Sequence, residues 1–414
     1  MKDYKKIVFA AVLALWGAFA AGGCGGQKEE PVTLTVIHAW GGTEKDHEAM
    51  RKIYQDFQEK NPDVLLQLVS MPTREEMLRK VEDMIMVGDT PDIVTFSGMG
   101  RNRTYEFMVE NGIALDLMPY LEEDEAFADS VSEENLSYWT TEKNQLFTVT
   151  DVLYLSGGYW YNQEIFEKAG IEAPPSDWAD FLKMCGKVRE WSKKLGRNVL
   201  PLQASGEGYL SFLDHMLAGR DGIKAERSEM AEALERLRQI YIFSTSESAD
   251  YTYLDETSLF NEGKIAIYVN GVWGAPMISD NIDAAYALLP TKDGTEMSCV
   301  SAGLGYVLGN SGSEEKEDAS VRFLKYMLSE EVQTRILEET EQIPANQAVN
   351  LEQFAEEKAR LYQAAEQVLH AEKRIEIPAN LWTSDQRERF VEEIFPVFAG
   401  EKEEEDFIES IVLR

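Results

Sequence analysis

Cysteine is nearly absent: Cys24, Cys185 and Cys299 are the only thiols in 414 residues. So few cannot build a disulfide framework. Histidine is as scarce. His38, His47, His215 and His370 are scattered, without an H-E-x-x-H pair or a Cys/His spacing suited to zinc. No G-x-S-x-G elbow occurs, since FSGMG and ASGEG fail on spacing, and there is no P-loop. GLGYVLG from Gly303 is a strand flanked by glycines rather than a dinucleotide fingerprint. Positive charge is also in deficit: 40 basic against 74 acidic residues leave a net charge of −34. Such a surface repels a phosphate backbone, which excludes nucleic acid as a partner. It serves solubility near a crowded surface, or it suits a cationic ligand. With acidic residues everywhere, no carboxylate pair singles itself out for acid–base catalysis. The chain reads as a non-enzyme, without cofactor or metal.

Long hydrophobic runs are missing too, except one. Lys2, Lys5 and Lys6 precede IVFAAVLALWGAFAA, Ile7 to Ala21, and then Gly22-Gly23-Cys24. This run is shorter than the ~20 residues of a transmembrane helix. A basic start, a short apolar stretch and small residues make a secretory signal. The segment resembles a bacterial lipoprotein signal, which implies lipidation of Cys24 after removal of residues 1–23. Ala21-Gly22-Gly23-Cys24 lacks the Leu common at the first of these places. Residues 24–31 form a polar tether. Cys185, within a helical stretch, and Cys299 read as small buried hydrophobes.

What is present is alternation. LTVIHAW (Leu34 to Trp40) is strand-like and is broken by Gly41-Gly42. Thr43 with Asp46 has the spacing of a capping box, and Ala49, Ile53 and Phe57 recur at helical spacing. VLLQLVS is a second strand. Thr73 with Glu76 is another capping box, followed by Met77, Val81 and Ile85 on one helical face. PDIVTFSG carries a third strand. This βαβαβ order predicts a parallel sheet. Ligands of such sheets sit beyond the carboxyl ends of the strands, here His38 to Gly41 and Thr95 to Gly98. Later strands are Phe147 to Asn162, AIYVNGVWG from Ala266, AYALLP and SAGLGYVLG. The segment from Ser313 onward is mostly helical. Ser176 or Asp177 is placed to cap the helix that carries Cys185.

Aromatics stand beside glycines at turns. Trp40 precedes Gly41-Gly42, Tyr159-Trp160 follow Gly157-Gly158, Trp273 lies between Gly271 and Gly274, and Trp382 follows Pro378-Ala379-Asn380. Flat rings beside polar groups suit sugar faces and hydroxyls. Trp40, Trp273 and Trp382 are read as site residues, Trp178 and Trp191 as core, and Trp160 as either. Asn270-Gly271 is a hairpin signal by itself, yet no strand follows directly.

Several stretches together resemble the extracellular solute-binding proteins of ABC importers, in the subgroup that includes maltose and other sugar binders. They are GDTPDIVTFSG, YWYNQEIFEKAGIEAPPSDWADFLKMC, FNEGKIAIYVNGVWG, YALLPTKDG with SAGLGYVL, and FLKYMLSEEVQ followed by IPANQA. Ser176-Asp177-Trp178 stands where the family commonly has Thr-Trp. The resemblance runs from Leu34 to about Phe398.

It implies an α/β, two-lobed periplasmic-binding-protein-like fold of type II, with the ligand cleft between the lobes. Lobe one would comprise residues 32–151 plus 277–312, and lobe two residues 152–276 plus 313–414. Chain crossings would fall near Asp151, Trp273 to Met277 and Gly312. By position it implies ligand contacts at Trp40, Gly41 and Thr43, at Phe96, Ser97 and Arg101, at Asp151 and Tyr154, and at Trp273 and Trp382. Glu76 and Tyr209 are further candidates. The crossing at Asp151 is two residues longer than in the maltose binders. The implied partners are a mono- or oligosaccharide, the permease of an ABC importer, and the membrane through lipid on Cys24, with the protein a monomer. A polyamine, a cationic peptide or another small solute on the same fold is the alternative. A surface glycan-active enzyme, or a sensor or adhesion lipoprotein without a transporter, stands further off.

Overall fold

The computed structural model describes residues 30–217, 227–377, 379 and 382–412. The signal segment, Cys24 and most of the tether therefore lie outside the described residues. Twelve strands form three four-stranded sheets. The first holds β1 (Val32–His38), β2 (Val64–Ser70), β3 (Ile93–Met99) and β10 (Leu304–Leu308) in the order β10-β3-β1-β2. The β1 pairings with β2 and β3 are parallel, as the alternation predicts, and β10 joins β3 antiparallel. The second, ordered β11-β4-β9-β12, contains β4 (Val152–Ser156), β9 (Met297–Ser301), β11 (Ile343–Pro344) and β12 (Lys373–Ile375). The third, ordered β6-β7-β5-β8, contains β5 (Gly158–Asn162), β6 (Leu200–Leu202), β7 (Ile265–Tyr268) and β8 (Ala284–Leu288).

Two apolar cores follow from these sheets. One lies around the first and second sheets, and the other is built on one face of the third sheet. β5 shows how a period of two separates them. Tyr159 packs into the second core and Trp160, on the opposite face, into the first. The helix Lys45–Lys60 buries Ala49, Ile53 and Phe57, the spacing visible in the sequence. Its start differs from expectation: Glu44 occupies the cap position without a side-chain bond, so Thr43 and Asp46 form no capping box. Thr73 does cap the helix Arg74–Met86, accepting from the Glu76 amide at 3.2 Å. Asp177 caps Trp178–Lys194 through the Asp180 amide at 3.0 Å.

The lobe boundaries need correction in two places. β8 was expected in lobe one, but it pairs with β5 and lays Tyr286 on Trp160, ring centroids 4.9 Å apart. The helices Glu314–Met327 and Glu330–Thr340 were expected in lobe two. They pack on β1 and on Lys45–Lys60. Phe323 there meets Tyr54 at 5.2 Å and Phe57 at 5.1 Å. Which sheet an amphipathic element covers depends on shape complementarity between distant segments, and a local pattern carries no information about it. Both Cys185 and Cys299 are buried and unbridged.

Three buried carboxylates set a pH dependence. Burial pushes Asp214 and Glu256 up to about 7 and Asp151 up to about 6. Burial pulls His38 and His215 down to about 4. A carboxyl whose folded pKa is raised takes up a proton on folding, so its contribution to stability is lost as pH rises through the folded value. The two histidines act in the opposite sense, and only below their unfolded value of about 6.5. Stability should therefore rise as pH falls from 8 to about 6.5 and keep rising below that, because the two histidines offset only part of the three carboxyls. Melting temperatures across this range, with Asp214→Asn giving a shallower rise, provide the check; a fall in stability from pH 8 to 6.5 would contradict it.

Candidate functional site

The carboxyl end of the parallel strands is built by close backbone approach. The Gly41 amide donates to the Met71 carbonyl at 2.9 Å, and a Cβ on Gly41 would stand 2.5 Å from that carbonyl group. Only glycine lets the two loops touch there. Arg51 clasps the turn by donating to the Trp40 and Gly42 carbonyls. The Trp40 amide donates to His38 Nδ1 at 3.1 Å, and His38 Nε2 lies 3.0 Å from Ser70 Oγ. An accepting Nδ1 on a histidine of lowered pKa assigns the proton to Nε2. Trp40 is itself only 8% exposed, edge-on to His47 at 5.2 Å.

At the end of β3, Gly98 has φ +73°, and a Cβ there would overlap the Tyr154 ring. Its other side meets Gly303, whose own Cβ would lie 2.7 Å from the Gly98 carbonyl oxygen. These two glycines admit Tyr154, which comes from β4 in the second sheet, to the end of the first. Tyr154 in turn meets Trp273 edge-on, with ring centroids 5.8 Å apart. Trp273 is half-buried and belongs to a short 3-10 turn, Val272–Met277. Gly98→Ala forces a side chain into the left-handed region, at a cost of about 1–2 kcal/mol before any clash. Urea unfolding should show at least that loss, with Tyr154 displaced; an unchanged midpoint would refute this account of Gly98.

The turn that presents Trp273 is no hairpin. β7 ends at Tyr268, Asn270 Nδ2 donates back to the Tyr268 hydroxyl, and Gly271 precedes the 3-10 turn. Trp160 Nε1 donates to the Gly271 carbonyl at 3.0 Å. A Cβ on Gly274 would lie 2.9 Å from that same indole nitrogen. Glycine is required where a buried indole approaches the turn.

Beyond β3, Arg101 lies over the Trp139 ring at 5.6 Å, and Trp139 Nε1 is tied to the Ala302 carbonyl at 2.6 Å. A cavity of about 250 Å³ opens here, lined by Gly100 and Arg101 on one side and Glu207, Arg387, Glu388, Val391 and Glu392 on the other. The first pair extends from the first sheet. The others belong to the helices Gly206–Leu217 and Ser384–Ala399, which pack on the second core. The cavity is thus a cleft between the two cores. Arg103 and Asp385 form an ion pair across it.

The sequence candidates fall into three groups. Arg101 lines this cleft, and Tyr154 and Trp273 meet each other beside Gly98 at the end of β3; Trp40, Gly41, the exposed Thr43 and Glu76 lie in the loops and helix after β1 and β2, and Ser97 is in β3 next to Gly98. Glu76 leaves Oε2 buried without a hydrogen-bond partner. Four others sit in the interior. Phe96 is fully buried beside Tyr105, and Tyr209 is fully buried among Tyr241, Phe395 and Phe398. Trp382 is 5% exposed and packs towards Phe390, so it offers no free stacking face. Asp151 spends its carboxylate on the Tyr306 hydroxyl at 2.9 Å. Strand parity in β3 turns Phe96 inward and helix phase does so for Tyr209, whereas Asp151 and Trp382 lie in bends just before β4 and the helix Ser384–Ala399. Cys24 lies outside the described residues. Reading the sequence missed Trp139, Glu207 and Arg387. Arg387 and Glu207, 3.5 Å apart, lie on separate helices, and nothing local marks either as facing a cleft.

The profile of the bacterial extracellular solute-binding protein family matches residues 52–363, about three quarters of the chain. The chain belongs to that family. YcjN of Escherichia coli K12, provisionally named an ABC transporter periplasmic-binding protein, is 22% identical over 332 residues, spanning 78% of this chain and 74% of that one. The multiple sugar-binding protein of Streptococcus mutans is 19% identical over 351 residues, 79% of each chain. Among solved structures, a Streptococcus pneumoniae solute-binding protein in complex with the blood group A-trisaccharide superposes with a TM-score of 0.77. It is 22% identical, and the match covers 92% of this chain and 98% of that one. This solute-binding protein therefore has the two-lobed α/β fold, and it is a binder rather than an enzyme. Among the described residues no helix is long and apolar enough to cross a membrane.

Proposed function

We propose that the protein captures a carbohydrate between its lobes and hands it to the permease of an ABC importer. The observation that carries this is the half-buried Trp273 ring beside Tyr154, held at the end of β3 by Gly98 and Gly303. A flat face next to polar groups suits a pyranose. The named ligands of the streptococcal relatives support the substrate class. The proposed contacts are Trp273, Tyr154 and Arg101, with Trp40, Gly41, Thr43, Ser97 and Glu76 around them. The lobes would be redrawn so that β8 moves to lobe two and the helices of residues 314–340 to lobe one. Ligand held by one lobe selects the closed arrangement because the other lobe then adds contacts. The protein acts as a monomer, tethered through lipid on Cys24.

A thermal-shift screen across neutral sugars, acidic sugars, spermidine and short basic peptides tests this, since a ligand of the native state raises the melting temperature. Stabilisation by saccharides alone is expected. Stabilisation by spermidine or a basic peptide, with no response to any saccharide, would transfer the site to a cationic solute.

A further inference from the structure

The cleft contains a guanidinium, that of Arg101, which makes no ion pair among the described residues. Arg101 is half-buried on the cavity wall, and its guanidinium lies over Trp139, whose indole is itself locked to the Ala302 carbonyl. Among the described residues Arg101 has no carboxylate within ion-pair distance, in a chain with 74 acidic residues. On the opposite wall Arg387 faces Glu207 at 3.5 Å. Glu388 and Glu392 line the rim but are exposed, so water screens them. The lining as a whole holds Arg101 and Arg387 with Glu207, Glu388 and Glu392, and of the two guanidinium groups Arg101 is the one that makes no ion pair with them.

A half-buried guanidinium without a partner is an unfavourable arrangement that an incoming anion relieves, and its fork geometry matches a carboxylate in bidentate fashion. The cavity, about 250 Å³, is just below the roughly 300–1,000 Å³ of pockets that take drug-sized ligands. That is space for a single sugar ring with its substituent.

Resting on the carbohydrate reading, we propose that this cavity is a subsite for a carboxylate-bearing sugar unit, a uronic or sialic acid residue, with Arg101 as the specificity-determining contact. The neutral part of the glycan lies against Trp273 and Tyr154, and its acidic unit reaches Arg101 and Arg387.

The test is calorimetry on the purified protein with matched pairs: digalacturonate against galactobiose, and sialyllactose against lactose, with sodium acetate as a third probe. The acidic member of at least one pair should bind ten-fold or more tightly than its neutral counterpart. That preference should shrink between 50 and 500 mM salt and approach unity in Arg101→Gln. Arg101→Lys keeps the charge without the fork and should fall between; it also decides the matter if the glutamine variant does not fold. Neutral glycans binding as well as acidic ones would overturn this inference while leaving the carbohydrate reading intact. A preference that persists in Arg101→Gln would overturn the role of Arg101. Acetate stabilising the protein as strongly as the acidic sugars would reduce the cavity to an anion site and overturn the glycan assignment. Failure of every saccharide in both pairs and in the wider screen would remove both readings.

Discussion

Trp273→Ala should weaken binding of the cognate saccharide by about 1–3 kcal/mol, a rise in Kd of roughly 5- to 150-fold, the scale of losing a well-packed aromatic anchor. The ring is half-buried; it meets Tyr154 at 5.8 Å and lies against Gly271. Removing it therefore takes away contact area towards the cleft more than core packing, and the fold should survive. Tyr154 would lose the partner that fixes its plane, which adds a reorganisation cost to the lost contact. Trp273→Phe retains an apolar face of smaller area and should recover part of the loss. Calorimetry with the sugar found in the screen measures both. Undiminished binding in Trp273→Ala would remove this residue from the site and leave the ring as a plug between Tyr154 and the turn.

Trp160→Ala should lower the unfolding free energy by about 3–5 kcal/mol, the usual range for deleting a large buried aromatic. The side chain is fully buried, stacks edge-on with Tyr286, and donates to the Gly271 carbonyl. The substitution thus leaves a cavity between β5 and β8 and an unsatisfied carbonyl at the turn that carries Trp273. Binding should weaken as a secondary effect, because the turn loses the bond that orients it. Urea denaturation followed by fluorescence reads the first quantity and calorimetry the second. A midpoint within error of the parent would mean that the site collapses without cost, against the packing described. Trp382→Ala belongs with this variant: burial beside Phe390 makes its expected effect one on stability. The one-ring-apart pair Tyr159 and Trp160 illustrates the same physics, since neighbours in a strand serve different cores.

Much of the first sheet was legible in the sequence. Alternating strands and helices, with apolar residues at Ala49, Ile53 and Phe57, required a parallel sheet covered by amphipathic helices. The glycines at 41, 271 and 274 were legible as places where something comes close, though not what. Caps were legible where a short polar side chain precedes a strong helix, at Thr73 and Asp177. The cap expected at Thr43 failed because the Gly41-Gly42 turn, clasped by Arg51, passes the cap position to Glu44.

The site was legible only in part. Aromatics beside glycines form a local pattern, and Trp40, Trp273 and Trp382 carry the same one. Their exposure differs because it depends on what packs from elsewhere: Trp273, between Tyr154 and Gly271, stays half-buried, whereas Trp382 is buried beside Phe390. The cavity walls were beyond local reading altogether. Arg101 and Arg387 are separated by about two thirds of the chain and come together only at the cavity they line.

By itself the sequence determined an acidic chain with alternating strands and amphipathic helices, because composition and period are local quantities; the two lobes came only with the resemblance to a family. The tertiary structure alone decided which strand β8 pairs with, which sheet the 314–340 helices cover, and which tryptophans are buried. Those are outcomes of long-range packing, where shape and desolvation select among partners that a linear pattern leaves equivalent.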